Sequence, residues 1–147
     1  MPFCHFEIWV PACRLKALTL RKNGLIERPI TLGEHLRNRR LVLGLRQQDV
    51  ARRLNTQREV YERWERDERV PVVSVWPGII RFLGRYPFAL LSDADLVLMA
   101  RRVQGTSQKT LAGRVGVIHQ TLRAWERGSD DIVPRFRARI SALAESS

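Results

Sequence analysis

Apolar residues recur along this chain at one-turn spacing, in short segments that charged residues flank. Val50, Ala51 and Leu54 fall on one face of a short helix. Asn55-Thr56 interrupts it, and Asn is among the few residues that tolerate the left-handed backbone of a sharp turn. Tyr61 and Trp64, three apart, predict one apolar stripe on a following helix, whose other faces carry Arg58, Glu59, Glu62, Arg63 and Arg66. Upstream, Leu32, Leu36 and Leu43 keep the i, i+4, i+11 rhythm of a buried stripe, with Gly44 placed to end that helix. Downstream, residues 67–71 read as a loop. Pro77 reads as the first turn of a helix over 78–83, whose Ile79, Ile80, Phe82 and Leu83 close a small core. Gly84-Arg85-Tyr86-Pro87 breaks the pattern and reads as a linker.

The pattern then returns at a constant offset of 61, from Gln47 to Gln108 and from Trp64 to Trp125. Gly44/Gly105, Ala51/Ala112, Arg53/Arg114 and Trp64-Glu65-Arg66/Trp125-Glu126-Arg127 are identical pairs. The offset also relates Thr31…Glu34 to Ser92…Asp95, two helix-starting boxes of the [ST]-x-x-[DE] type. Boxes, glutamines and tryptophans in one register make a strong internal repeat. In the second copy Phe136, Ile140 and Leu143 form the stripe of a last helix after Pro134, with Arg135, Arg137 and Arg139 on its other sides. Leu96, Val97, Leu98, Met99 and Ala100 are apolar around most of their helix. That excess predicts contact with the first copy or with a second molecule, a possible homodimer surface. The organisation expected is an unassigned N-terminal arm over 1–30, one domain over 31–86 and another over 92–147.

Two short helices joined by a tight turn match the helix-turn-helix unit. Gly44-Leu45-x-Gln47-x-x-Val50-Ala51 followed by Trp64-Glu65 resembles the Xre/Cro-type helix-turn-helix proteins, the phage-repressor-like regulators. Gly105-x-Ser107-Gln108-x-x-Leu111-Ala112-x-x-Val115-Gly116-Val117 with Trp125-Glu126-Arg127-Gly128 matches that pattern more closely still. The resemblance covers 31–86 and 92–145. It implies an all-α fold of two small lambda-repressor-like helix-turn-helix domains in tandem, with double-stranded DNA as partner.

In this motif the third helix enters the major groove and the second crosses the backbone. Gln47 falls at the N-terminus of the second helix, where its side chain and the free amides both suit a phosphate. The resemblance places base reading at Arg58, Glu59 and Arg63, with Gln57 and Glu62 beside them. Arg bonds guanine O6 and N7, and Glu accepts from cytosine N4, so the residue types suit the task. The competing reading is a solvated charged face with internal pairs such as Glu59 with Arg63. In the second copy the matching residues are Gln108 at the backbone, then His119, Gln120 and Ala124, with Arg123 nearby. Ile118 stands where the family usually has a capping Ser or Thr, which weakens that helix start. The second copy therefore reads equally as a DNA reader or as a dimerisation module. Trp64 and Trp125, at helical spacing from Tyr61 and Leu122, read as core and not as base-stacking residues.

A net charge of +11 favours polyanionic partners. Much of it is Arg, which a GC-rich coding sequence also produces, so charge is informative only on the helix-turn-helix frame. No apolar run approaches the roughly 20 residues that span a bilayer, and Met1-Pro2-Phe3-Cys4-His5-Phe6-Glu7 is unlike a signal peptide. A cytoplasmic location without membrane contact is the expectation. Cys4, His5, Cys13 and His35 lack zinc-ligand spacing, so no metal or cofactor is expected. No nucleophile or carboxylate constellation surrounds the histidines, and the chain reads as a non-enzyme. Phe6-Glu7-Ile8-Trp9-Val10 suits a strand or extended arm, and residues 14–22 a helix closed by Asn23-Gly24.

The functional expectation is sequence-specific binding of double-stranded DNA by a small repressor-like regulator. The rivals are a helix-turn-helix protein that contacts other proteins, and an antitoxin that represses its own operon. The segment from Gly84 to Ser92 reaches at most about 30 Å as a free tether. That falls slightly short of the roughly 34–36 Å between successive half-sites, so simultaneous docking is constrained, and Ile118 and Ala124 favour the first copy as the leading reader.

Overall fold

The computed structural model describes residues 24–145, and every regular element among them is helical. Thr31 starts the first. Its Oγ1 accepts a hydrogen bond from the Glu34 amide at 3.2 Å, and Glu34 Oε2 accepts from the Thr31 amide at 3.0 Å. This reciprocal box satisfies amides that the first helical turn leaves orphaned. Helix α1 then runs Leu32–Val42. Gly44, at φ +65°, turns the chain into α2, Gln47–Arg53. Asn55 adopts φ +51°, and the Thr56 amide reaches back to the Ala51 carbonyl at 2.9 Å. That closed turn leads into α3, Arg58–Glu65. A 3-10 turn, Val73–Val75, precedes α4, Trp76–Leu83, with Pro77 in its first turn.

Ser92 and Asp95 repeat the starting box, with Ser92 Oγ accepting from the Asp95 amide at 3.2 Å and Asp95 Oδ2 from the Ser92 amide at 2.9 Å. Helix α5 is Asp93–Gln104, α6 is Gln108–Val115, α7 is His119–Glu126 and α8 is Pro134–Glu145. The α6–α7 turn places Gly116 at φ +85°, at the position of Asn55 in the first turn, and the Val117 amide bonds the Ala112 carbonyl at 3.0 Å. Buried positions keep the 61-residue register as well. Val50/Leu111, Ala51/Ala112, Tyr61/Leu122, Trp64/Trp125 and Ile79/Ile140 are all buried, each half in its own apolar cluster.

Leu43 departs from the expected stripe. Helix α1 ends at Val42, so Leu43 becomes its cap and is exposed. Trp76, which carried no role in the pattern, is 2% exposed and lies in the first cluster. Of the expected arm over 1–30, only 24–30 fall within the described residues. They are tied to α1 by Asn38, whose Oδ1 accepts from the Ile26 amide at 3.0 Å and whose Nδ2 donates to the Ile26 carbonyl at 2.7 Å. The strand over 6–10, the helix over 14–22 and the Cys4, His5 and Cys13 positions lie outside the described residues. His35 meets Phe88 edge-on, with ring centroids 6.4 Å apart.

The segment after Gly84 is not a free tether. Tyr86 and Phe88 pack against the first cluster, Phe88 lying beyond the boundary expected at 86. Arg102 of α5 lies 4.0 Å over the Trp76 ring and donates to Tyr86 Oη at 2.9 Å. Gly105, at φ +61°, sits so near α4 that a Cβ there would lie 2.8 Å from Pro77 Cγ. The reach argument for two tethered domains therefore fails, because α5 is docked on α4 and the 3-10 turn. The same docking covers part of the surface expected to meet the first copy or a second molecule. Val97 and Ala100 are buried, Leu96 and Met99 pack on the second cluster, and Leu98 is half-buried. Helix α5 packs between its own α7 and α8 and the first half's α4.

Candidate nucleic-acid interface

Glu65, in the last turn of α3, organises the first site. Arg40 on α1 donates from Nε to Oε1 at 2.6 Å and from Nη2 to Oε2 at 2.9 Å. Gln47 on α2 donates from Nε2 to the same Oε2 at 2.9 Å. Three helices thus converge on one carboxylate. Burial alone would push the Glu65 carboxyl up, but the bonds from Arg40 and Gln47 outweigh it and hold the pKa below its ordinary 4.5. Gln47, at the start of α2, is thus also tied to the end of α3. One amide hydrogen is committed to Glu65, which fixes the group at the α2 N-terminus and leaves its other hydrogen to donate.

The outer edge of α3 is different. Gln57, Arg58, Glu59 and Arg63 are all exposed. Among the described residues none pairs with Arg58, Glu59 or Arg63, so the internal Glu59–Arg63 pair weighed from the sequence is not formed. Glu62 stands apart. It is half-buried, lies 3.8 Å from Arg66 and lines a flanking recess with Arg37, Arg40 and Gln47. Arg46, Gln47, Gln48 and Arg58 line a shallow open depression between the starts of α2 and α3. On its polar rim Arg46 is paired with Asp49 at 3.1 Å, whereas Arg58 is unpaired among the described residues and has the chemistry for a phosphate oxygen.

The second half repeats the network more loosely. Gln108 Nε2 donates to Glu126 Oε2 at 2.8 Å, and Arg101 Nη2 lies 3.3 Å from Glu126 Oε1. Arg101 Nε is buried and has no hydrogen-bond partner among the described residues, whereas Arg40 uses both prongs. His119 Nε2 approaches Gln108 Oε1 at 3.3 Å, which draws the ring back toward the start of α6. Gln120 and Arg123 are exposed along α7, and Lys109 is exposed in the first turn of α6. Ile118 makes no capping bond, as its side chain requires, but Gln57 makes none at the start of α3 either. Trp64 and Trp125 are each 3% exposed, inside their cores.

Arg40 and Arg101 carried no role in the sequence reading. The signal was present, because the 61-residue offset that relates Gln47 to Gln108 also relates Arg40 to Arg101 and Glu65 to Glu126. Residues 31–91 match the family described as a helix-turn-helix domain. No curated protein and no solved structure matches the chain. Among the described residues no helix is long and apolar enough to cross a membrane.

Proposed function

We propose that this chain is an Xre/Cro-type, repressor-like regulator that binds double-stranded DNA sequence-specifically through two helix-turn-helix domains in tandem, 31–91 and 92–147. The observation that carries the reading is the unpaired cationic edge of α3, Arg58 and Arg63, set beside a Gln47 that Glu65 holds in place. Helix α3 enters the major groove. Arg58 and Arg63 reach guanine O6 and N7, and Glu59 accepts from cytosine N4. The spare Gln47 amide hydrogen and the free amides of the α2 start meet a phosphate, where the helix dipole favours negative charge. The first domain leads, because the second anchors His119 against Gln108 and offers fewer charged contacts on α7.

Selection of binding sites from random-sequence duplexes with the full chain tests this. Enrichment of one motif rich in G·C steps is expected. Failure to enrich any motif at low salt would overturn DNA reading and leave the protein-interaction alternative.

A further inference from the structure

Ile118 is 67% exposed at the start of α7, whereas its neighbour Val117 packs on the second apolar cluster. Position 118 stands where the first half has the exposed polar Gln57. The backbone there is extended, φ −74° and ψ 153°, the conformation from which Ser or Thr would cap the helix. Ile makes no such bond, so the site forgoes a helix cap and holds a large aliphatic group in water. Packing does not account for it, since Val117 supplies the turn's core contact.

We infer that Ile118 reads the 5-methyl group of a thymine, making the second domain a discriminator of T·A pairs where the first reads G·C. The inference rests on the DNA-binding reading proposed above. Of the groups displayed in the major groove, thymine's methyl is the apolar one, and an apolar side chain against it separates T from C. The surroundings suit that contact. Gln108 is fixed by Glu126 at 2.8 Å, and His119 is drawn onto Gln108 at 3.3 Å. Ile118 is then the side chain standing clear beside the anchored pair, with exposed Gln120 and Arg123 further along α7 and exposed Lys109 on α6. Gln120 can bond adenine N6 and N7, which fits an A·T step.

The test uses the full chain and the site that selection enriches, resynthesised with uracil in place of thymine one position at a time. Uracil pairs identically and lacks only the methyl group. At one thymine, affinity should fall about fourfold, the worth of one buried methyl-sized group. Ile118→Ser should bind the thymine and uracil duplexes equally, and Ile118→Val should keep most of the difference. Ile118 is exposed, so both variants keep the wild-type circular dichroism. An enriched site with no uracil-sensitive thymine, or an Ile118→Ser protein that discriminates as the wild type does, would overturn the role of Ile118 alone. No enriched site at all would overturn it together with the DNA-binding proposal.

Discussion

Arg40 and Glu65 face each other through two parallel hydrogen bonds, of 2.6 and 2.9 Å, with side chains only 14% and 5% exposed. A two-pronged pair this far from water is costly to break from one side, because the remaining charge has no solvent to return to. Arg40→Ala should destabilise the first domain by about 3 kcal/mol or more, a large part of a small domain's total. Arg101→Ala should cost visibly less, because Arg101 holds Glu126 through one contact at 3.3 Å. Urea unfolding of both variants checks the ranking. Equal losses would contradict the asymmetry between the two networks.

The same pair sets an acid limit. Glu65 has a folded pKa below its ordinary 4.5, so its contribution is fully present above that value and is lost as pH falls through the folded one. Stability should therefore be flat near neutrality and drop below about pH 4.5. In Glu65→Gln the drop should be shallower, since the group no longer titrates. Melting curves from pH 3 to 7 on both proteins decide this, and parallel curves would show that other carboxylates govern the acid limb.

Binding of duplex DNA should weaken steeply with salt. With about 6–10 phosphate contacts, affinity should drop about 10³–10⁵ between 50 and 200 mM. Arg58→Ala or Arg63→Ala should relax preference at particular base pairs, by about 1–3 kcal/mol. Gln47→Ala should weaken cognate and scrambled DNA alike, since a phosphate contact carries no sequence. Uniform losses from all three would show that α3 does not enter the major groove.

What the sequence disclosed was what local patterning controls. Asn55 adopts the left-handed turn conformation its side chain permits, and both capping boxes form. The cores fall on Tyr61, Trp64, Leu122 and Trp125 as the spacing implied. Contacts between distant elements stayed hidden. Arg102 carries no periodic signal that it would lie over Trp76, so the 84–91 segment read as a tether. The apolar excess of α5 was legible, but whether a second molecule or the first domain covered it was not. Gln47 was legible as a polar side chain at a helix start, whereas its bond to Glu65 depends on the packing of three helices.

Gly33 lies where α1 meets the last turn of α3. A Cβ there would lie 2.6 Å from the carbonyl oxygens of both Trp64 and Glu65. These are backbone atoms and cannot turn aside as a side-chain end would. The Gly33 amide also donates to Asp67 Oδ1 at 3.0 Å, and Thr31 Oγ1 to Asp67 Oδ2 at 2.6 Å, so a shift of α1 would strain both bonds. Gly33→Ala should cost about 1–3 kcal/mol, the range for overpacked sites. It should also weaken DNA binding, since α3 would be displaced. A variant as stable as the wild type would mean that α1 and α3 separate freely.

The joint between the halves yields the last prediction. Arg102 lies 4.0 Å over Trp76 and 5.3 Å from the Phe88 ring centroid, with Tyr86 Oη accepting its hydrogen bond at 2.9 Å. Each half is near the small end of independently folding domains, so this contact supports both. A desolvated cation over Trp contributes up to about 2 kcal/mol, and Arg102→Ala would also bare the Trp76 face. The wild type should unfold in one calorimetric transition, whereas Arg102→Ala should resolve two. On DNA the uncoupled variant should still protect the segment read by Arg58 and Arg63. Protection by the second domain should fade first on dilution, because a docked domain is delivered in place and a loosened one must find its site. A single unchanged transition together with an unchanged footprint would show that the halves do not depend on the Arg102 contact.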